Sequence, residues 1–162
     1  MITQSRLKEL LHYDPETGSF TWLVQKFRGD KGATAGCNIG HGYWKIGIDR
    51  KRYYAHHLAW LYMTGEWPVG VIDHRDGDAL NNRWANLRLA DKSLNAANMR
   101  TPKSNTSGRK GVTWLRREKK WLAQIKVNGR RRALGYFDDK DEAAAAYENA
   151  ARASFGEFAR VA

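Results

Sequence analysis

The sequence predicts an α+β protein made of two small domains, and three observations support this. The chain has 162 residues, which is room for one ordinary domain or two small ones. Apolar residues make up 42% of it, enough to build packed cores. Residues 101–109 have the Pro, Ser, Asn and Gly content of a linker, so we predict domains over 1–100 and 110–162.

Composition excludes several classes of protein. No apolar run is long enough to cross a membrane, and the N-terminus lacks the apolar core of a signal peptide. Cys37 is the single cysteine, which excludes an intramolecular disulfide and a multi-cysteine zinc site. We therefore expect a cytoplasmic protein with no membrane partner.

Charge gives the first indication of function. The chain has 28 Lys and Arg against 17 Asp and Glu, a net charge of +11. Most of this excess lies in residues 100–137, which contain twelve basic residues and a single acid, Glu118. Such a block predicts a polyanionic partner, most often nucleic acid. The alternative is a basic surface that only keeps the protein soluble.

Residues 1–52 form a strand-rich leader before the more informative segment. Leu7, Leu10 and Leu11 have helical spacing, and a turn and a strand follow. A hairpin comes next, with its turn near 49–51. Its basic residues are expected to contact the DNA backbone, with plain scaffold as the alternative: Lys45, Arg50, Lys51 and Arg52.

Residues 53–100 are the expected core, and within them 69–98 read as strand, loop, strand, helix. The first strand ends at Asp73 and His74, and a loop rich in Gly, Asp and Asn spans 75–86. Leu87 begins a second short strand, and Asp91 begins a helix.

Four polar residues of this segment match the requirements of phosphodiester hydrolysis. A histidine such as His74 can deprotonate water near neutral pH. A hard divalent cation neutralises the charge on phosphate and takes oxygen ligands, which Asp73 and Asn95 could supply. An amide such as that of Asn86 can hold the histidine in one orientation.

The constellation resembles the His-Asn-His (HNH) nuclease motif in its variant with Asn at the third position. The resemblance covers about 53–99 and implies a ββα-metal core with one divalent ion. Its landmarks, in order, are H-H-L-A-W at 56–60, G-E-W-P at 65–68, D-H-R-D-G-D at 73–78, N-N-R-W-A-N-L-R at 81–88 and N-A-A-N at 95–98.

The resemblance implies a role for each matched residue. His74 is the general base, Asp73 and Asn95 are metal ligands, and Asn86 ties the loop and orients the base. Mg²⁺ is the expected ion, with Mn²⁺ as the alternative, and no small-molecule cofactor is expected.

Four further residues form a second tier. His56 matches a family landmark, but a core or loop-anchoring histidine is an equal alternative. Asn98, one turn after Asn95, could bond phosphate, support Asn95 or stabilise the helix. Arg83 and Arg88 are expected to contact phosphate or to pair with acids of the 75–86 loop, Asp76 and Asp78.

The C-terminal domain is predicted as three antiparallel strands and one helix. Residues 121–127 alternate with a strand period, and Asn128-Gly129 is a strong hairpin signal before a returning strand over 130–137. Residues 110–115 supply the third strand. The helix is expected to begin at Asp139 and to end near Gly156, with one face toward the sheet: Ala143, Ala146, Tyr147, Ala150 and Phe155.

Residues 108–162 resemble the APETALA2/ethylene-response-factor DNA-binding domain, through S-G-R-K-G-V-T-W, K-W-L-A-Q-I-K-V-N-G-R-R and E-A-A-A-A-Y. The resemblance implies a sheet laid in the major groove. Thr113 and Leu115 replace arginines of the plant pattern and Ala133 replaces an aromatic residue, so the plant sequence preference does not transfer. The expected DNA-binding residues are Lys110, Thr113, Arg116, Lys120, Gln124, Lys126 and Arg131.

Together these patterns predict a metal-dependent endonuclease that cuts double-stranded DNA, of the homing type found in phages and prophages. The alternative from another class is a non-cleaving DNA-binding regulator derived from such a nuclease. An RNA-binding module fits less well, because the sequence lacks the stacking motif of RNA readers. The target sequence and the oligomeric state are not predicted.

Overall fold

The fold is mixed, with short helices and small antiparallel sheets, and this confirms the α+β prediction. It forms two compact units, Met1–Leu89 and Ala90–Ala162. No helix of the described residues is long and apolar enough to cross a lipid bilayer. The structure is a computed structural model, and it describes residues 1–25, 31–38, 40, 42–102 and 104–161.

The first unit contains two helices, a three-stranded sheet and two two-stranded sheets among its described residues. β6 and β7 form the strand pair expected of the nuclease core, and β7 ends one residue beyond the unit. The elements are α1 (Gln4–Leu10), β1 (Leu11–Asp14), β2 (Ser19–Trp22), β3 (Cys37–Asn38), β4 (Trp44–Ile48), β5 (Lys51–Tyr54), α2 (Ala55–Thr64), β6 (Val71–His74) and β7 (Leu87–Ala90).

The N-terminal segment differs from its prediction by one strand. α1 begins after Thr3, whose hydroxyl accepts from the Arg6 amide, and buries Leu7. At Leu11 the chain becomes extended and forms β1, which was not predicted. β1 pairs antiparallel with β2, the strand that was predicted. Leu11 and Tyr13 are buried on either side of an exposed residue, a two-residue alternation too short to stand out beside the helical leucines.

The predicted hairpin of the leader is confirmed. β4 and β5 pair antiparallel around Asp49 and Arg50, which have φ of 46° and 63°. Two left-handed residues give the turn that matches the twist of the strands. The largest fully buried side chains of this unit are Tyr13, Phe20, Leu7, Leu11, Ile46, Ile48, Leu58 and Leu61.

The second unit has the predicted three-stranded sheet, in the order β10-β9-β8, with a long helix after it. Asn128 and Gly129 form the hairpin turn with φ of 50° and 80°. Asp139 caps the helix through two backbone amides, and Gly156 follows its last residue. The elements are α3 (Lys92–Asn98), β8 (Val112–Leu115), β9 (Lys120–Val127), β10 (Arg130–Phe137) and α4 (Lys140–Phe155).

The small residues of α4 let it lie close to the sheet. A Cβ added to Gly111 would come within 2.1 Å of the Tyr147 ring. Ala144 and Ala151 are buried, whereas the predicted Ala146 and Ala150 are half-buried. The predicted Ala143, Tyr147 and Phe155 are buried as well, and Ala146 and Ala150 pack against the core, so the apolar face is the predicted one and extends further around the helix.

Helix α3 packs in the core of the second unit. Its Ala97 is buried in one cluster with Ile125, Tyr147 and Phe155. The Lys110 ammonium donates to the carbonyl oxygens of Ala97 and Met99 and so caps the C-terminal end of the helix. The compact unit thus begins at Ala90, before the predicted linker. The predicted functional domains at 1–100 and 110–162 stay a prediction.

Candidate active site and nucleic-acid interface

Asp73 and His74 end strand β6, and both are buried, with 4% and 6% of their surface exposed. Arg88, on the paired strand β7, donates from Nε to Oδ2 of Asp73 at 2.8 Å. The two side chains are only 7% and 5% exposed. The sequence did not indicate Asp73 as a partner of Arg88, and the predicted contacts of Arg88 with phosphate or with acids of the loop stay predictions. The charge of Arg88 lies inside the site, against the predicted metal ligand.

His74 faces an amide from the following loop. Its Nε2 lies 3.3 Å from Oδ1 of Asn82, which is 4% exposed. The Asn82 Nδ2 donates to the Leu80 carbonyl at 3.2 Å, which fixes the orientation of the amide. Sequence reasoning did not single out Asn82. The available signal was the Asn81-Asn82 pair inside the nuclease landmark.

Asn86 ties the loop together, as one part of its predicted role requires. Its Oδ1 accepts from the Asp76 amide at 3.1 Å, and its Nδ2 donates to Asp76 Oδ1 at 3.0 Å and to the Asn81 carbonyl at 2.8 Å. Its own carbonyl accepts from the Arg75 amide at 2.9 Å, directly after His74. Asn86 therefore holds the backbone next to His74. The side chain that faces the imidazole is that of Asn82.

Hydrogen bonds within the loop also lower the pKa of Asp76. Burial alone would raise the pKa of Asp76, but hydrogen bonds from the Asp78 amide and from the Asn81 and Asn86 side chains outweigh it and hold this pKa below its ordinary value. The Asp76 carboxylate thus accepts several hydrogen bonds, and these organise the loop.

The β1–β2 hairpin supports the loop from the other side. The Tyr13 hydroxyl donates to the Asn82 carbonyl at 2.7 Å, and the Trp84 amide donates to the Pro15 carbonyl at 2.9 Å. Gly18, at φ 75°, approaches so closely that a Cβ there would lie 2.4 Å from the Asn82 carbonyl carbon. The leader thereby positions the residue that contacts His74, through contacts that no local sequence pattern indicates.

His56 is packed against the base. Its ring centroid lies 5.1 Å from that of His74 and 4.5 Å from that of His57. Burial, followed by the charges of His57 and His74, lowers the pKa of His56 to about 3. Its Nδ1 has no hydrogen-bond partner among the described residues. The structure thus places His56 as a buried, neutral ring beside the site.

Asn95 and Asn98 belong to the second unit. The Asn95 amide donates to the carbonyl of Asp91, the N-cap of α3, at 3.0 Å. The Asn95 side chain is half-buried, and Asn98 is 5% exposed. Their proposed tasks at the metal and at phosphate stay predictions. In the described part of the chain no group of three or more His, Cys, Asp or Glu could hold a metal ion.

The strand register places most predicted DNA-binding residues on one face of the C-terminal sheet. Side chains directly opposite each other project to the same side. Arg131 is opposite Lys126, and Thr113 is opposite Leu122, which shares its face with Gln124. Lys120 lies on the same face and pairs with Asp138 at 2.8 Å.

The other two predicted contacts lie outside this strand face. Arg116 is exposed in the turn after β8. Lys110 is half-buried, and burial, with a smaller effect of Arg160, lowers its pKa to about 8. Its ammonium is engaged by the end of α3.

A cationic cleft of about 840 Å³ lies between α3 and the sheet of the second unit. β8 pairs with β9 only as far as Ala123, so the remaining half of β9 has no strand beside it on that edge. The cleft occupies this edge. Its basic residues are Lys92, Lys110, Lys126 and Arg131.

Comparison with known proteins identifies the family. Residues 53–97 match the sequence profile of HNH endonucleases. The chain is also 39% identical to protein 3.8 of Escherichia phage T7 over 106 residues, which cover 65% of this chain and 87% of that protein.

The chain belongs to the HNH endonuclease family.

Two other proteins are similar to this chain. The HNH endonuclease is 31% identical over 123 residues to an uncharacterized HNH endonuclease of Acanthamoeba polyphaga mimivirus, covering 75% of this chain and 63% of the viral protein. A solved structure on DNA binding and cleavage by the HNH homing endonuclease I-HmuI is similar with a TM-score of 0.44 and 21% identity, over 76% of this chain and 71% of that one. The predicted enzyme class is confirmed. HNH nucleases generally use a divalent metal ion.

Proposed function

We propose that this HNH endonuclease hydrolyses phosphodiester bonds in double-stranded DNA, with His74 as the general base. The observation that carries this is the buried His74 at the end of β6, within the family-matched segment, with its Nε2 facing the Asn82 amide oxygen at 3.3 Å. An amide oxygen only accepts, so the contact keeps the proton on Nε2. The neutral ring then has its lone pair on Nδ1, which takes the proton of the attacking water.

The donor set fits a hard divalent ion. Asp73 offers a carboxylate, and Arg88 holds one of its oxygens in place at 2.8 Å. Asn95 offers an amide oxygen from α3. With a single acidic ligand, the ion would keep several waters and contact phosphate, as Mg²⁺ commonly does. When bound, the ion neutralises charge on the phosphate and on the departing 3′ oxygen.

The second part of the proposal concerns DNA binding by the C-terminal sheet, the region that resembles the APETALA2 domain. The face with Gln124, Lys126 and Arg131 carries no acidic side chain at the paired positions of its register. Lys and Arg contacts to phosphate release counterions, so such a face raises affinity without reading sequence. The sheet holds the enzyme on DNA while His74 performs the hydrolysis.

Plasmid cleavage tests the catalytic proposal. Supercoiled DNA incubated with the protein and Mg²⁺ should be nicked or linearised, and a chelator should abolish this. His74→Ala should lower the rate by about 10²-fold or more while DNA affinity stays the same, as loss of a general base does. Retarded but intact DNA with the parent protein would favour the alternative, a non-cleaving DNA-binding regulator.

Charge reversal tests the role of the sheet. Lys126→Glu with Arg131→Glu should weaken DNA binding and lower the slope of log affinity against log salt by about two. Glu142→Lys, on the exposed surface of α4, is the matched control and should not weaken binding. An unchanged salt slope in the double variant would contradict docking on this face.

The most specific part of this proposal is that the enzyme is a homing-type endonuclease. The relatives from a phage and a giant virus are compatible with it. Sequencing of the ends produced from random-sequence DNA tests it, because a homing role requires one long preferred site, whereas a general nuclease would give many unrelated ends.

A further inference from the structure

An exposed basic and aromatic surface lies on the outer side of the β4–β5 hairpin. The register pairs Lys45 with Tyr54 and Gly47 with Arg52, which places the three side chains on one face of the sheet. The alternate residues Ile46 and Ile48 are completely buried on the other face. We call the outer side, with the adjacent Tyr43, the tyrosine face.

A continuous array of rings joins the tyrosine face to the catalytic histidine. Tyr43 and Tyr54 are 39% and 37% exposed, unusual for large aromatic rings, and their centroids are 5.4 Å apart. Tyr54 stacks on His56 at 5.4 Å with an interplanar angle of 21°. His56 in turn lies 5.1 Å from His74. A ligand on Tyr43 would therefore be close to the bond that is cut.

The charges of this surface are complementary to a nucleic-acid strand. The Lys45 ammonium lies 4.3 Å from the centre of the Tyr54 ring. Arg50, Lys51 and Arg52 are exposed on the same hairpin, and its single acid, Asp49, lies 3.5 Å from Arg6. A positive groove combined with open aromatic rings is the combination that binds single-stranded nucleic acid.

We propose that Tyr43 stacks on an unpaired base of the DNA strand, beside the phosphate that His74 attacks. This inference rests on the proposed function, because it assumes a DNA strand at His74. Tyr54 is held between Lys45 and His56, whereas Tyr43 meets the rings of Tyr54 and His56 at steep angles of 68° and 51°, so no ring of the described residues stacks face to face on it. The faces of paired bases are hidden in the duplex, so a ring can stack only on a base that has left the stack.

The consequence is a substrate preference. The enzyme should bind and cut a duplex with an unpaired base next to the scissile phosphate better than the fully paired duplex of the same sequence. The unpaired base supplies the stacking surface at no cost of opening the helix.

Two measurements in the presence of a chelator test this with the full chain. The first is fluorescence anisotropy with two duplexes of one sequence, one fully paired and one with a single-base bulge. Tyr43→Ala should weaken binding to the bulged duplex about tenfold and to the paired duplex by less than about twofold. Tyr43→Phe should bind like the parent. Met63→Ala, at another large apolar side chain with a similar exposed fraction of 41%, is the matched control, because it lies outside both proposed DNA-binding surfaces.

The second measurement is photo-crosslinking with 5-iodouracil as the bulged base. The parent protein and Met63→Ala should give an adduct on the peptide that contains Tyr43, and the paired duplex should give none there. Adducts elsewhere but never on this peptide would overturn the inference. This readout stays decisive even if Tyr43→Ala folds poorly.

The outcomes separate this inference from the proposed function. A parent protein that cuts no DNA with Mg²⁺ overturns the proposed function. A parent that cuts, with Tyr43→Ala binding both duplexes like the parent, overturns only the stacking. Equal loss of affinity for both duplexes would place Tyr43 on the sugar–phosphate backbone and would also overturn it.

Discussion

Nε2 of His74 and Oδ1 of Asn82 lie 3.3 Å apart, and both residues are almost completely buried. The Asn82 backbone is held in turn by the Tyr13 hydroxyl at 2.7 Å. The His74 imidazole, the proposed general base, is thus oriented by a loop residue whose own position depends on the N-terminal hairpin. The orientation of a general base matters for the rate as well as its pKa, because proton transfer requires the correct nitrogen to face the water.

Substitution of Asn82 tests this orientation. Asn82→Leu keeps the approximate volume but removes the acceptor, so we expect the cleavage rate to fall about tenfold or more while DNA affinity stays constant. Single-turnover rates and equilibrium binding measure the two effects separately. A loss of affinity with an unchanged rate would contradict a positioning role.

The buried pair of Arg88 and Asp73 gives a stability prediction. Arg88→Met removes the guanidinium from a buried carboxylate and should lower the free energy of unfolding by about 3–5 kcal/mol. Arg6→Met, which breaks exposed pairs with Glu9 and Asp49, is the control and should leave the free energy of unfolding nearly unchanged, because exposed ion pairs contribute little. Urea unfolding measures both.

A double variant checks the cause of that loss. Adding Asp73→Asn to Arg88→Met removes the isolated charge, so the double variant should be more stable than Arg88→Met alone. If it were less stable, packing of the arginine side chain, not its charge, would account for the effect.

His56 predicts a decline of stability in mild acid. Its pKa is about 3 in the folded protein against 6.5 for an ordinary histidine, so between these values the unfolded chain binds the extra proton. Stability therefore falls as the pH drops below 6.5, by about 2 kcal/mol at pH 5 from this group. Urea unfolding between pH 7.5 and 4.5 measures the slope. His56→Phe should flatten it, and a change at the exposed His12 to Gln should not.

Substitution of Gly18 should have a strong effect on stability and cleavage, although Gly18 is far from the nuclease motif in sequence. Gly18→Ala places a Cβ 2.4 Å from the Asn82 carbonyl carbon at a φ of 75°. The left-handed backbone alone costs about 1–2 kcal/mol, and relief of the clash must also displace the loop. We expect lower thermal stability together with slower cleavage. Gly47→Ala, with open space around the new Cβ, is the control for stability and should not lower it.

The sequence predicted the elements well where a pattern was long or a turn was chemically specific. Asn128-Gly129 and Asp139 fixed a hairpin and a helix start that the structure contains. The face of α4 was harder, because residues 143–146 are all alanine and the pattern cannot tell which of them faces the sheet. Tertiary packing buries Ala144 beside the predicted Ala143 and leaves Ala146 half-buried, a difference that the sequence does not show.

The candidate site was predicted in part for a similar reason. Asp73 and His74 follow from the chemistry that they must perform. Asn81 and Asn82 are adjacent and identical, and the first bonds Asp76 while the second faces His74. Which of two equal amides points inward depends on the hairpin that packs on the loop. The partner of Arg88 likewise depends on the pairing of β6 with β7, not on sequence spacing.

Helix α3 constrains how such enzymes could exchange modules in evolution or by design. The helix that carries Asn95 folds with the C-terminal sheet, through Ala97 in its core and Lys110 on its last carbonyls. A crossover at the linker would separate this helix from the residues that stabilise it. A crossover near Ala90 would keep each core whole but would pass Asn95 along with the C-terminal sheet. If Asn95 and the sheet have the roles proposed for them, an exchange of DNA-binding modules in this architecture would also exchange a metal ligand.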